Sequence, residues 1–253
     1  MAGWPGPLLQ CTTAAGERLS SAACDARTGR PEKPLSPSSY SSQGLGSAVV
    51  QLLAGSGGLG QLRVTYASPR GDDLDTRLLR ANILKGILES ITDQNVNLVN
   101  ADYLAEQYNI EVVETVVKAT SRDLLSSVSV EVAAKPKFSG CLNGAGRIEL
   151  AGAVIKGSPF ITRVGTTDVE VEMSESVILT KQRDQPGVIG TLGTTLSGHN
   201  INISFMTVGR RAKRTEAIMA VGVDEVVSDE VLAEISKIRG IEEACALTFP
   251  NLE

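Results

Sequence analysis

Asp184-Gln185-Pro186-Gly187, with Ser176 to Gln182 (SVILTKQ) before it and Val188 to Asn200 after it, is the stretch whose reading decides the fold. Before the turn, large apolar and polar residues alternate with the period of a half-buried strand. After it the period changes. Pro186 fits a first helical position, Asp184 and Gln185 lie where a cap belongs, and Val188, Ile189, Leu192 and Leu196 form one apolar face. Gly198-His199-Asn200 stops the helix. Asn200 to Val208 (NINISFMTV) alternates again, placing Ile201, Ile203 and Phe205 on one face, and Glu216 to Val223 (EAIMAVGV) reads as a third strand. Ser228-Asp229-Glu230 opens a second helix with Val231, Leu232, Ile235 and Ile238 inward, and Ile241 to Phe249 closes the unit as a fourth strand. The order βαββαβ lays two helices on one face of an antiparallel sheet, a ferredoxin-like α+β arrangement.

Working outward, the stretch from Gly60 to Glu175 predicts a second α+β unit. Asp72 is placed as a helix cap, with Asp73 and Asp75 in the first turn, and Leu74, Leu78, Leu79, Ile83, Ile87, Leu88 and Ile91 recur at helical spacing. A shorter helix opens near Asn100. Strands are expected at Gln61–Ala67, Glu111–Lys118, Ser127–Ala134, Arg147–Ile155, Pro159–Val164 and Asp168–Met173. Upstream, residues 42–60 read as a short helix and a Gly-rich linker. Gly55-Ser56-Gly57-Gly58-Leu59-Gly60 matches a dinucleotide fingerprint, but the strand follows the glycines instead of preceding them, so a connector is expected. Residues 1–41 read as a disordered leader, rich in Ser, Pro, Ala and Gly. Its Ser and Arg content suits a plastid transit peptide; its acids suit a bland leader in a cytoplasmic protein.

With 253 residues, 42% hydrophobic, the chain can bury the cores of two domains. A formal charge of -5 argues against nucleic acid as a partner. Cys11, Cys24, Cys141 and Cys245 are scattered, fit a reducing compartment and suggest no metal site. No apolar run has the length of a membrane span, so a soluble protein without membrane contact is expected.

The motif built from Val177-Ile178-Leu179, Asp184 to Gly190 and Asn200 to Ser204 resembles the ACT domain, an amino-acid-sensing module. Val64 to Ser68, Asp73 to Ala81 and Val96 to Ala101 resemble the intervening domain of plant-type D-3-phosphoglycerate dehydrogenase, in which that domain leads to a terminal ACT domain. The resemblance covers about Leu45 onward. It implies a family enzyme that oxidises 3-phosphoglycerate to 3-phosphohydroxypyruvate with NAD, in serine biosynthesis. The Rossmann fingerprint and the catalytic His, Glu and Arg of that family have no counterpart in this sequence, so hydride transfer is not expected of it, and no catalytic or cofactor-binding residue is assigned. His199, the single histidine, is expected at a helix C-terminus.

What the resemblance leaves is regulatory chemistry. The first helical N–H groups, those of Gly187, Val188 and Ile189, are expected to receive the carboxylate of an effector, L-serine or another small amino acid. Asp184 and the side-chain oxygen of Asn202 would take its ammonium; the bland alternative is that Asp184 caps the helix and Asn202 faces water. Gln182 stands where related serine-regulated members carry His or Tyr. Arg147, Lys156 and Arg163 form a candidate anion site, with three solvated cations as the alternative, and Arg210, Arg211, Lys213 and Arg214 read as a solvated loop. ACT units pair through a free sheet edge, so a homodimer at least is expected. Two functions follow: the regulatory portion of a phosphoglycerate dehydrogenase, or a stand-alone amino-acid-binding protein that acts by joining a full-length enzyme.

Overall fold

The computed structural model describes residues 37–249 apart from 54–58, 72–73, 121–124 and 174–175. The leader up to residue 36, most of the Gly-rich motif, Cys11, Cys24 and the cap placed at Asp72 lie outside the described residues. The chain runs α1 (Pro37–Gln51), β1 (Gln61–Ser68), α2 (Arg77–Glu89), α3 (Ala101–Gln107), β2 (Glu111–Lys118), β3 (Ser127–Val132), a 3₁₀ turn (Ser139–Cys141), β4 (Ile148–Ile155), β5 (Ser158–Val164) and β6 (Thr167–Glu172). These strands form one sheet in the order β2-β1-β3-β4-β5-β6, with β1 and β2 parallel and every other pair antiparallel. A parallel neighbour needs a crossover, which α2 and α3 supply.

The helix expected at residue 42 begins at Pro37 and belongs to this layer. Leu45, Ala48, Val49 and Leu52 are fully buried against α2 and the sheet. Burying each of the larger ones contributes about 1.5–3 kcal/mol. Helix α2 starts later than its acids suggested, with Thr76 at the N-cap; Asp75 lies outside it and pairs with Arg77 at 2.7 Å. Leu79, Ile83, Ile87 and Leu88 are buried, whereas Leu78 and Ile91, expected on the same face, are exposed. The stripe that α1 and the sheet cover is narrower than the run of apolar residues.

The second unit is β7 (Ser176–Arg183), α4 (Val188–Gly198), β8 (Ile203–Arg210), β9 (Glu216–Val223), α5 (Asp229–Ile235) and β10 (Ile241–Thr248), in sheet order β10-β7-β9-β8 with all pairs antiparallel. Ser228 caps α5 by accepting the Val231 N–H. Ile178, Met219 and Val221 pack under the helices with Val188, Leu192, Leu196, Val231 and Ile235. Val177, Leu179, Ile218, Ala220 and Leu247 face the other way, into the same core as Leu45 and Ile83. Both faces of this sheet are therefore covered, one by its own helices and one by the preceding domain. Ile203 and Phe205 do not share a face as expected. A register shift between them turns Ile203 toward the helices and Phe205 toward the larger core, where its ring lies over Gly222.

At its end, the outer edge of β10 is met by α1. Gln51 Oε1 accepts the Thr248 N–H at 2.7 Å and Gln51 Nε2 donates to the Thr248 carbonyl at 2.8 Å, so one side-chain amide mimics a paired strand residue. Gln51→Ala is expected to lower the unfolding free energy by about 1–2 kcal/mol, two ordinary hydrogen bonds at an exposed position. Urea titration measures it; a change below a few tenths would mean that the pair contributes nothing.

Candidate functional site

The site grows from the β7–α4 turn. Gly187 has φ 95 and is itself the helix cap, so α4 opens at Val188 and not at Pro186 as the sequence suggested. The Gly187 carbonyl accepts the Thr191 N–H at 2.9 Å and its hydroxyl at 3.0 Å. The open amide donors consequently shift by one residue from those expected, to Val188, Ile189 and Gly190, and no side chain caps them. Val188 is buried beneath the turn, while Ile189, expected inward, is half exposed.

Asp184 does not cap this helix. Its Oδ2 accepts the Arg214 N–H at 3.1 Å and Arg210 Nη1 at 2.7 Å, and its own N–H donates to the Thr215 carbonyl. The Arg214 amide, then the Arg210 guanidinium, hold its carboxyl below the usual carboxylate range. Arg210, read from sequence as part of a solvated loop, is thus the residue that orients Asp184. The one signal for it is that the loop joins β8 to β9 at the end of the sheet where β7 also ends.

Gln182 is 3% exposed and faces the helical side of the sheet. Its Oε1 is buried without a hydrogen-bond partner, as is Thr180 Oγ1 two residues earlier on that face. It lies inside the domain and not on the surface that an effector would reach, because even-numbered residues of β7 point under α4 and α5.

Asn202 stands just before β8, at the other end of the sheet. Arg183 is opposite Glu216 and Ile203 opposite Val223 along β9, seven residues and about 24 Å apart. One copy of the chain therefore does not bring Asp184 and Asn202 together. Asn202 donates its N–H to Glu225 at 2.8 Å and its Nδ2 to Asp224 at 2.6 Å, which leaves Oδ1 without a donor among the described residues. His199 is the C-cap of α4, with Nε2 2.8 Å from Glu234 Oε2, a tie between the two helices.

The three cations of the other candidate site do not converge. Arg147 and Arg163 lie on the sheet face away from α1 with Glu149 between them, and Arg163 Nη2 donates to Glu149 at 2.7 Å. Lys156 occupies the β4–β5 turn at φ 52, beyond the far end of β4 and about 30 Å along the strand from Arg147. A hairpin that long puts its first residue and its turn at opposite rims of the sheet. Lys156 instead borders a cavity of about 420 Å³ shared with Ser38, Ser41 and Gly152.

At the seam between the two domains, Lys181 Nζ donates to Ser139 Oγ at 3.3 Å and lies 3.6 and 3.5 Å from Glu216 and Glu242. Cys141 and Cys245 are buried on the two sides of that seam, and burial pushes the Cys141 thiol up to about 12. Neither is placed for nucleophilic chemistry.

Comparison with known proteins gives two family matches, to the D-3-phosphoglycerate dehydrogenase intervening domain over residues 40–156 and to the ACT domain over residues 176–240. Two Arabidopsis thaliana proteins named D-3-phosphoglycerate dehydrogenase 3 and 2, chloroplastic, are each 42% identical to it, over 83% and 89% of this chain. The chain spans about 37% of the length of either. A probable L-serine dehydratase, beta chain, of Bacillus subtilis is 30% identical over 97 residues, 38% of this chain and 44% of that protein.

Proposed function

This chain carries the intervening and ACT domains of the D-3-phosphoglycerate dehydrogenases, and from that membership we propose that it is a regulatory element that binds L-serine between two copies of itself. The observation that carries the proposal is the free edge of β8. Two such edges related by a twofold pair antiparallel, so the Asp184 end of one sheet meets the Asn202 end of the other. The roughly 24 Å that separates the two residues along the strands within a chain is thereby removed between chains, and what remains is the width of β9 and β8, which the effector and the β8–β9 loop with Arg210 would span.

Charge supports the same arrangement. The Asp184 end carries Arg183, Arg210, Arg211, Lys213 and Arg214, and the Asn202 end carries Asp224 and Glu225. The twofold sets cations over acids twice. Exposed Ile189 and Val208 lie on the helix and edge strand that meet there. The effector carboxylate then sits on the amides of Val188, Ile189 and Gly190, and its ammonium between Asp184 and Asn202 Oδ1 of the second copy. Serine is favoured among small amino acids by the dehydratase relative, whose name contains it. A plastid location is supported by the two chloroplastic relatives. The same edge accepts the ACT domain of a full-length enzyme, so hetero-oligomers with one are part of the proposal.

Calorimetric titration of the purified chain with L-serine is expected to give saturable heat, and Asp184→Ala or Asn202→Ala to weaken binding at least about tenfold, the loss of one charge-assisted hydrogen bond. Mixing the two single variants restores one intact site in each mixed pair, about a quarter of the parent stoichiometry when equal amounts pair at random. Absence of heat from the parent chain, or a mixture no better than its components, rejects a site shared between copies.

A further inference from the structure

The ACT edge β8 is one of the four strands on which the two sheets end, with β2, β6 and β10. The six-stranded sheet ends on β2, which carries Glu111, Glu114 and Lys118 but lacks the proline, the bulge and the short length that keep many edge strands from pairing. It is eight residues long (EVVETVVK), contains no proline, and runs in unbroken register with β1 from Gln61 opposite Glu111 to Ser68 opposite Lys118. Seven of the ten large apolar side chains left exposed among the described residues fall between Leu78 and Val117. Val113 and Val117, 37% and 42% exposed, point to the open face of the sheet. Asp102 of α3 is tied through Arg80 to Glu114 of β2, and its neighbour Tyr103 is 61% exposed.

The backbone shows what the edge offers. Glu111 N–H donates to the Gly60 carbonyl at 2.9 Å and Ala119 N–H to the Ser68 carbonyl at 3.0 Å, so odd-numbered residues of β2 direct their backbone groups to β1. The N–H and C=O groups of Val112, Glu114, Val116 and Lys118 therefore face outward, unpaired among the described residues. We propose that this edge pairs antiparallel with β2 of a second copy, on a twofold through Thr115, and continues the two sheets as one. That register sets Val113 opposite Val117 of the second copy on both sides of the axis and Thr115 opposite its own mate, pairings that a sheet favours. A twofold through Glu114 would set two carboxylates face to face. The Thr115 axis moves the two Glu114 side chains apart to a diagonal and sets Lys118 of the second copy on the other diagonal, so the charges balance and the matched Val113–Val117 pairs are what favour a copy of the same strand over an unrelated one.

The pairing is independent of serine and of the ACT contact. Its test is sedimentation velocity on the full chain. Val113→Lys with Val117→Lys, both at exposed positions, sets lysines opposite each other and is expected to weaken self-association about 100-fold, so that the dominant species halves in mass. Val113→Glu with Val117→Lys makes the opposed residues attract and is expected to regain the parent mass. Circular dichroism spectra matching the parent's show that the variants fold. A parent chain that is monomeric, a lysine pair that leaves the mass unchanged, or a Glu/Lys pair as dissociated as the Lys/Lys pair overturns the proposal. A heavier parent whose mass responds only to Val208→Lys in β8 does so too, because the ACT edge would then account for all association.

Discussion

Gly86→Ala is expected to destabilise the chain by about 1–3 kcal/mol, although alanine is the better helix former. A Cβ at Gly86 would stand 2.0 Å from the Gln43 carbonyl oxygen, and one at Gly46 2.2 Å from that of Ile83. Helices α1 and α2 thus meet backbone to backbone at two reciprocal glycines. The obstructing atoms belong to helical peptide groups and cannot rotate aside, so the helices must separate and uncover Leu45, Val49, Ile83 and Ile87. Propensity returns only about 0.5–1 kcal/mol, so the packing loss wins. Gly193→Ala in α4 is the control: its Cβ meets nothing within 4 Å, and a small gain is expected from the same chemistry. Urea unfolding of the two variants decides the matter, and equal effects at Gly86 and Gly193 would refute the close crossing. Gly46→Ala with Gly86→Ala is expected to cost less than the sum, because one separation relieves both clashes.

Gly209→Val is expected to uncouple the two domains. Gly209 lies in β8 where that strand passes β6, and its Cβ would stand 2.3 Å from the Asp168 carbonyl oxygen and 2.8 Å from Val169 Cβ. Valine there pushes the ACT sheet off the core it shares with the intervening domain, exposing part of the face built from Val177, Leu179, Ile218 and Leu247. A loss of about 2–3 kcal/mol follows from overpacking at backbone, and the single cooperative transition expected of a shared core should split in two. Calorimetric and urea unfolding test this. One transition within about 0.5 kcal/mol of the parent, the range of an ordinary surface change, would mean that the seam yields without cost. Because β8 is also the proposed pairing edge, the variant should weaken serine binding; Gln51→Ala, on the opposite edge of the same sheet, should leave it unchanged.

These three glycines mark a limit of reading residues in order. Gly46 and Gly86 look like weaknesses in helices α1 and α2, and Gly209 like part of a hairpin. Each is required by an atom more than 35 positions away. The same holds for Asp184, whose partners Arg210 and Arg214 are 26 and 30 residues on and resemble any solvated basic loop. Gln182 is legible as an unusual residue at an effector position, but not as a buried one, since a strand covered on both faces does not reveal which side is which. Arg147, Lys156 and Arg163 are expected along successive strands, but Arg147 precedes β4, Lys156 lies in the β4–β5 turn and only Arg163 is within a strand; that Lys156 sits at the opposite rim from the two arginines follows from the length of the hairpin.

The element order, the α+β class and the two-domain family were determined by the sequence alone, because period-two alternation, turn residues and capping signals are local and each acts within a few positions. The tertiary structure alone decided which faces are covered, which strands end the sheets, and that Asp184 and Asn202 are separated within one copy. Those outcomes depend on steric exclusion between distant backbone segments and on a bulge that turns half a strand over, quantities that no local window of residues contains.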